Sequence, residues 1–229
     1  MNIIAFCTFP NPAVALVSGG AVLFSDSCES DYSTNDIAVA SFLHRAVNEA
    51  KTLGLFGDAS FLTFHGPSPF SSIRINISLL FGVYVGAKDY LENGSAAAYS
   101  LSLFDALALK IFSSRIEEGI IIAISSSKES FFVMKIEKSG DRIIFRATAE
   151  ELAKYEGCGY NVQVVSKGVL PVIGDISMRS LFLSCAGYIG SCGRGAFRSI
   201  PFRCACDEMV CSGFCDAGCC GRVSVCKWC

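Results

Sequence analysis

Ten residues, His65-Gly66-Pro67-Ser68-Pro69-Phe70-Ser71-Ser72-Ile73-Arg74, limit what this chain can fold into more than any other stretch. They follow a short apolar run, Phe61 to Phe64, and lead into a long apolar segment of helical character. Glycine admits a positive φ and proline fixes its own, so Gly66-Pro67 is turn chemistry. A side-chain oxygen of Ser71 or Ser72 can cap a helix opening at Ile73. Strand, tight turn and helix in that order make a junction whose turn faces a ligand or a partner.

The flanking sequence has the pattern of an α/β chain. Met1 to Phe6, Ala13 to Val17 and Ala21 to Ser25 are apolar strand-like runs, with a turn at Ser18-Gly19-Gly20. Val39, Leu43, Val47 and Ala50 recur at helical spacing with polar residues between them, which predicts an amphipathic helix. From Gly119 the pattern begins again. Ile120 to Ile124 is a β-branched strand, Phe131 to Glu137 alternates weakly, Ser139-Gly140-Asp141 is a hairpin turn, and Arg142 opens the next strand. Thr148 and Glu151 have capping-box spacing, so a helix starts there and stops at Gly157. Val162 to Val165 and Val169 to Ile173 read as strands around a turn, and Met178, Leu181, Cys185 and Ile189 have helical spacing. Periodicity alone says α/β and no more.

A chain of 229 residues, 52% of them hydrophobic, suits one large or two small domains with well-buried sheets. A net charge of −2 and the lack of a basic tract give no electrostatic reason for the chain to bind nucleic acid by itself. The N-terminal run has no positive n-region, and Pro10 and Pro12 interrupt it, so it does not read as a secretory signal. The apolar stretches at Leu79 to Ala87 and Gly119 to Ile124 fall short of the roughly 20 residues that span a bilayer. The expectation is a cytoplasmic protein with no membrane association.

The segment from Gly66 resembles the Gly-Pro-Gly-Ser-Phe-Thr-Gly-Leu-Arg signature of the TsaB (YeaZ) family. Its members belong to the actin-like ATPase superfamily and act in threonylcarbamoyladenosine modification of bacterial tRNA. Gly66, Pro67, Phe70 and Arg74 match the signature; Ser68, Pro69, Ser71 and Ser72 depart from it. The order of strands and helices is similar, Ser102-Leu103-Phe104-Asp105-Ala106-Leu107 echoes a segment after the family's second helix, and Ser199-Ile200-Pro201-Phe202-Arg203 resembles its ending. The resemblance implies two actin-like (ribonuclease-H-like) subdomains with mixed sheets flanked by helices, residues 1–110 and 111–203, followed by a Cys-rich extension, 204–229.

For function, it implies a non-catalytic scaffold that pairs with TsaD, together with TsaE, and so supports threonylcarbamoyl transfer to the tRNA adenosine next to the anticodon. The tRNA would be met only through the complex. ATP and a metal ion would belong to TsaD, with no cofactor held by this chain alone. The family pairs through its first two helices, here about Asp36 to Leu53 and Ser72 to Lys88. The expected interface, with TsaD or in a homodimer, is therefore Val39, Leu43, Val47 and Ala50 on the first helix and Ile73, Ile77, Leu80 and Tyr84 on the second.

Actin-like ATPases place one aspartate after the first strand and another at the start of the second subdomain, around Mg²⁺ and the phosphates. Cys7 and the Ser125-Ser126-Ser127-Lys128 segment stand at those places here, and thiols and hydroxyls are poor ligands for a hard cation. This argues against the rival reading, a sugar-kinase-like phosphotransferase of the same fold. Cys7 with His65 is a conceivable nucleophile and base, but a buried, inert thiol is the simpler expectation. Arg74 reads either as an anion ligand or as a structural tie, and His44 as a surface or interface residue. Eight of the 13 cysteines, Cys204, Cys206, Cys211, Cys215, Cys219, Cys220, Cys226 and Cys229, fall in the extension. They are weak zinc ligands by spacing, with a single Cys-x-x-Cys pair and no histidine, so a poorly ordered extension and a metal-binding module both stand.

Overall fold

The computed structural model describes residues 1–28, 35–87, 90, 97–112, 119–126, 129–137, 139, 141–166, 177–191 and 226–228. Strand β1 (Asn2–Cys7) pairs antiparallel with β2 (Ala13–Ser18), which pairs with β3 (Ala21–Ser27) across the Gly19-Gly20 turn. Helix α1 (Asn35–Thr52) leads through a 3-10 turn at Phe56–Asp58 to β4 (Ala59–Phe64), which lies parallel to β1. Helix α2 (Phe70–Ala87) then leads to β5 (Ala98–Leu101), parallel to β4. A further strand, β10 (Cys226–Trp228), pairs antiparallel with β5 and completes a six-stranded mixed sheet ordered β10-β5-β4-β1-β2-β3.

Helix α3 (Leu103–Phe112) links this sheet to a second one, built from β6 (Ile120–Ser125), β7 (Ser130–Ile136), β8 (Arg142–Thr148) and β9 (Asn161–Val165) in the order β8-β7-β6-β9. Helix α4 (Ala149–Gly157) separates β8 from β9, and α5 (Met178–Ser191) follows. Thr148 caps α4 in the expected way: Glu151 N–H donates to the Thr148 hydroxyl, and Thr148 N–H donates to the Glu151 carboxylate at 2.8 Å.

Strand alternation sorts the side chains into layers. Ile4, Phe6, Val14, Leu16 and Phe61 pack under α1 and α2. Ile3, Ala5, Val17, Leu62 and Phe64 share a single central core with Ile120, Ile122, Ile124 and Met134 of the second sheet, and α3 and α5 run through that core. Ile121, Ala123 and Val133 face Leu152 of α4 on the far side. The result is helix, sheet, helix, sheet, helix. Met178, Leu181, Phe182, Cys185, Ala186 and Ile189 all point from α5 into the central core, where Phe182 stacks on Phe64 with centroids 5.6 Å apart.

Several sequence expectations need correction. Helix α2 opens at Phe70 rather than Ile73, with Ile73 N–H donating to the Pro69 carbonyl at 3.2 Å, so Ser71 and Ser72 lie inside its first turn instead of capping it. The Ser102–Leu107 segment follows the second helix but is not adjacent to it. Strand β5 intervenes, and the segment opens α3. Of the 204–229 extension only Cys226–Trp228 lies among the described residues, where it forms β10. The apolar run near Leu79 belongs to an 18-residue helix that is apolar enough, with mean hydropathy 1.4, to cross a membrane by length and composition. Its Ser72, Asn76, Leu80 and Ala87 are nonetheless buried, and Asn76 is hydrogen-bonded to residues beside β1 and in β4. The strand expected at Val169 to Ile173 and the ending at Ser199 to Arg203 lie outside the described residues.

Candidate functional site

The signature turn sits where β1, β4 and β5 all end. Gly66 is buried with φ +117°, and its carbonyl accepts from Leu103 N–H at the start of α3. The positive φ favours glycine, and a Cβ there would also crowd Ile73 Cδ1 at 3.1 Å. The Gly66-Pro67 peptide is cis, as is Phe9-Pro10. Asn76, one of the few buried polar residues, ties the turn to β1. Its Oδ1 accepts from Thr8 N–H at 3.0 Å and from the Thr8 hydroxyl at 3.1 Å, and its Nδ2 donates to the Phe64 carbonyl at 3.0 Å. Phe70, by contrast, is 73% exposed, and the exposed Arg74 guanidinium lies 5.7 Å from its ring centroid. Gly66 thus serves the fold, whereas Phe70 and Arg74 face outward as a stacked pair.

Cys7 and His65 do not act as a pair. The Cys7 thiol is fully buried, which pushes its pKa well up, and it donates to the Asn11 carbonyl at 3.4 Å. His65 Nδ1 is 3.0 Å from the Ser100 hydroxyl, and burial lowers the ring's pKa against a weaker opposing effect from Ser100. A protonated, buried thiol is neither nucleophile nor ligand for a hard cation. Ser125 ends β6, and the adjacent Ser126 hydroxyl donates to the Ser130 carbonyl at 3.1 Å within the turn. Ser127, Lys128 and every tail cysteine except Cys226 lie outside the described residues. For Cys226 only the backbone pairing in β10 is described.

One charged pair lies inside the central core. Asp105 of α3 and Arg142 at the start of β8 are 3% and 0% exposed, with Asp105 Oδ1 3.5 Å from Arg142 Nη1. Burial pushes the Asp105 carboxyl up to about 6, partly offset by the Arg142 guanidinium. Burial also lowers the Arg142 pKa, opposed by Asp105 and Tyr188. The pair joins a helix of the first sheet's side to a strand of the second sheet. A lone aspartate in the apolar run of α3 was its visible trace, but nothing local to Arg142 marks it as buried.

The expected partner stripes divide. Val39, Leu43, Ala50 and Leu80 are buried under 4% exposure against the chain's own sheet; Val39, Ala50 and Leu80 are core residues rather than partner contacts, while Leu43 also lines the outer groove. A helix lying on a sheet gives its most regular apolar stripe to that sheet, and outer contacts fall on neighbouring faces. Val47, Ile73, Ile77 and Tyr84 are half-buried. The outer face of the two helices forms an open, apolar groove of about 280 Å³ lined by Ala40, His44 and Val47 of α1 and Leu79, Val83 and Gly86 of α2. Elsewhere on these helices Ile37, Phe81 and Val85 are exposed at 68%, 57% and 54%.

No protein-family model matches the chain, and no curated protein matches it by sequence. Among solved structures, YeaZ from Pseudomonas aeruginosa superposes with a TM-score of 0.55 at 16% identity, covering 84% of this chain and 93% of that one. A structure described as an uncharacterized protein with similarity to peptidase YEAZ from Pseudomonas aeruginosa matches at the same TM-score of 0.55, 16% identity and the same coverage. The chain therefore has an α/β fold, two mixed sheets flanked by helices, of the kind found in the YeaZ structure.

Proposed function

We propose that this chain is a TsaB-like, non-catalytic scaffold that pairs with TsaD through the groove between α1 and α2. It thereby supports threonylcarbamoyl transfer to the tRNA adenosine next to the anticodon. The observation that carries this is the groove itself: a helical layer that has already covered its sheet still leaves an open apolar groove lined by half-buried Val47, Leu79 and Val83. Packing that face against partner helices would bury it at roughly 25 cal/mol per Å² of apolar area. Cys7 supports the scaffold role over a phosphotransferase, since the buried thiol stands where the superfamily uses a carboxylate.

The test is co-purification with TsaD from the same source. Val83→Asp, which places a carboxylate in the groove at a half-buried residue packed on the core beneath, should weaken pairing at least about 10-fold in a chain that circular dichroism shows to be folded. A folded Val83→Asp chain that binds TsaD as tightly as the parent would remove the groove from the interface. Failure of the wild-type chain to bind TsaD at all would remove the function.

A further inference from the structure

An exposed strand edge invites pairing with another strand, and natural sheets blunt their edges with charge, proline, bulges or a covering segment. Two edges of the sheets follow this rule with charge or a bulge. Strand β3 alternates between half-buried and exposed residues, carries Asp26 in an ion pair with Arg45, and its pairing with β2 shifts register at Leu16/Val17. Strand β8 carries Arg142 and the exposed Arg146. Strand β9 carries only the neutral polar Asn161 and Gln163. Strand β5 has none of these devices. Ala98, Tyr99, Ser100 and Leu101 are all buried, with Ala98 in the core under α1 and α2 and Tyr99 and Leu101 in the central core, so both faces are covered and only the edge is left.

The hydrogen bonds show which groups that edge presents. Phe61 N–H donates to the Ala97 carbonyl at 2.8 Å and His65 N–H to the Leu101 carbonyl at 3.0 Å, so residues 97, 99 and 101 turn their backbone groups toward β4. By strand alternation, the N–H and C=O of Ala98 and Ser100 point outward. Strand β10 meets them in register, Cys226 opposite Ser100 and Trp228 opposite Ala98. The sequence there, Val223-Ser224-Val225-Cys226-Lys227-Trp228, is rich in β-branched and aromatic residues.

We propose that the outer edge of β5 is a strand-docking site, filled in the monomer by the chain's own Cys226–Trp228 segment and able to take the same segment from a second copy. Residues 192–225 separate that segment from α5. Extended, they reach on the order of 100 Å, so the tether does not restrict the strand to its own β5. Docking in either direction satisfies the Ala98 and Ser100 backbone groups, whose burial without partners is unfavourable. The site is a sheet edge, separate from the α1/α2 groove, and does not depend on the function proposed for that groove.

Amide hydrogen exchange resolved by residue tests this directly. In the wild-type chain, the Ala98 and Ser100 amides should exchange as slowly as those of β4; exchange as fast as that of exposed loops would overturn the proposal without any variant. Trp228→Pro, which removes the N–H facing the Ala98 carbonyl, should speed exchange at Ala98 and Ser100 by about 10-fold or more and leave β1 and β4 unchanged. A synthetic peptide of residues 222–229, carrying Cys226→Ser and Cys229→Ser, should restore slow exchange to that variant when added in trans. Unchanged exchange in Trp228→Pro, or no restoration by the peptide, would overturn it. Should Trp228→Pro unfold the chain as a whole, labelled peptide added in excess to the wild-type chain decides the outcome: its amides gain protection if the site exchanges strands, and do not if the proposal is wrong.

Discussion

Gly66 and Asp105 show how much can depend on one residue in this chain. Gly66 holds φ +117° under Ile73, so Gly66→Ala should lower stability by about 1–3 kcal/mol, read as a lower urea midpoint with unchanged slope. Asp105 is paired with a wholly buried guanidinium. Asp105→Asn leaves that charge in the central core and should cost about 3–5 kcal/mol, whereas Asp105→Leu combined with Arg142→Met should recover most of it, because well-packed apolar residues replace a buried pair at little loss. The pair also predicts a pH dependence. The folded-state value of about 6 lies above the ordinary 3.8, so the folded chain binds the proton more tightly than the unfolded one. Asp105's contribution is therefore full below pH 3.8 and is lost as the pH rises through about 6. Between those limits, denaturation midpoints of the wild type should fall more with rising pH than those of the doubly substituted chain.

At the scale of elements, α1 and α2 each have an inner and an outer face, and substitutions on the two should separate cleanly. Leu80 is 2% exposed beneath α2 while its neighbour Phe81 is 57% exposed. Leu80→Asp should unfold the chain or lower its midpoint severely, since it buries an unpaired carboxylate; Phe81→Asp should leave the thermal midpoint within a few degrees of the parent. Circular dichroism melts of the two variants check this. The inner stripe was legible as helical periodicity from Val39, Leu43 and Ala50. Which stripe would meet a partner was not, because both helices are apolar on more than one side and periodicity does not say which side the sheet takes.

At the scale of the whole molecule, the two sheets are joined by a shared core rather than by a linker alone. Helix α5 packs on β2, β3 and α3, and Phe182 stacks on Phe64, so the second half is anchored on the first. Strand β10 brings Cys226–Trp228 into the first sheet as well. Removal of residues 204–229 should therefore leave the layered fold in place, since the cores lie within the remaining chain, but lower the melting midpoint by several degrees and cause concentration-dependent self-association at the bare β5 edge. Light scattering of the truncated chain across a dilution series, beside a thermal melt, measures both effects.

The sequence by itself determined what depends on neighbours in the chain. Short apolar runs placed β1, β2 and β6 and weak alternation placed β7; Gly19-Gly20 and Gly66-Pro67 placed turns; and Thr148 with Glu151 placed the start of α4, because each rests on local backbone conformation and short-range hydrogen bonds. What spans long separations was decided only in the tertiary structure. Strand β5, with its Ala-Tyr-Ser-Leu sequence, has little strand propensity of its own and exists because β4 and β10 flank it. Arg142 reads as an ordinary strand residue until β8 brings it against Asp105. Leu80 and Phe81 are equally apolar on paper, and only the position of the sheet beneath α2 makes one of them core and the other surface.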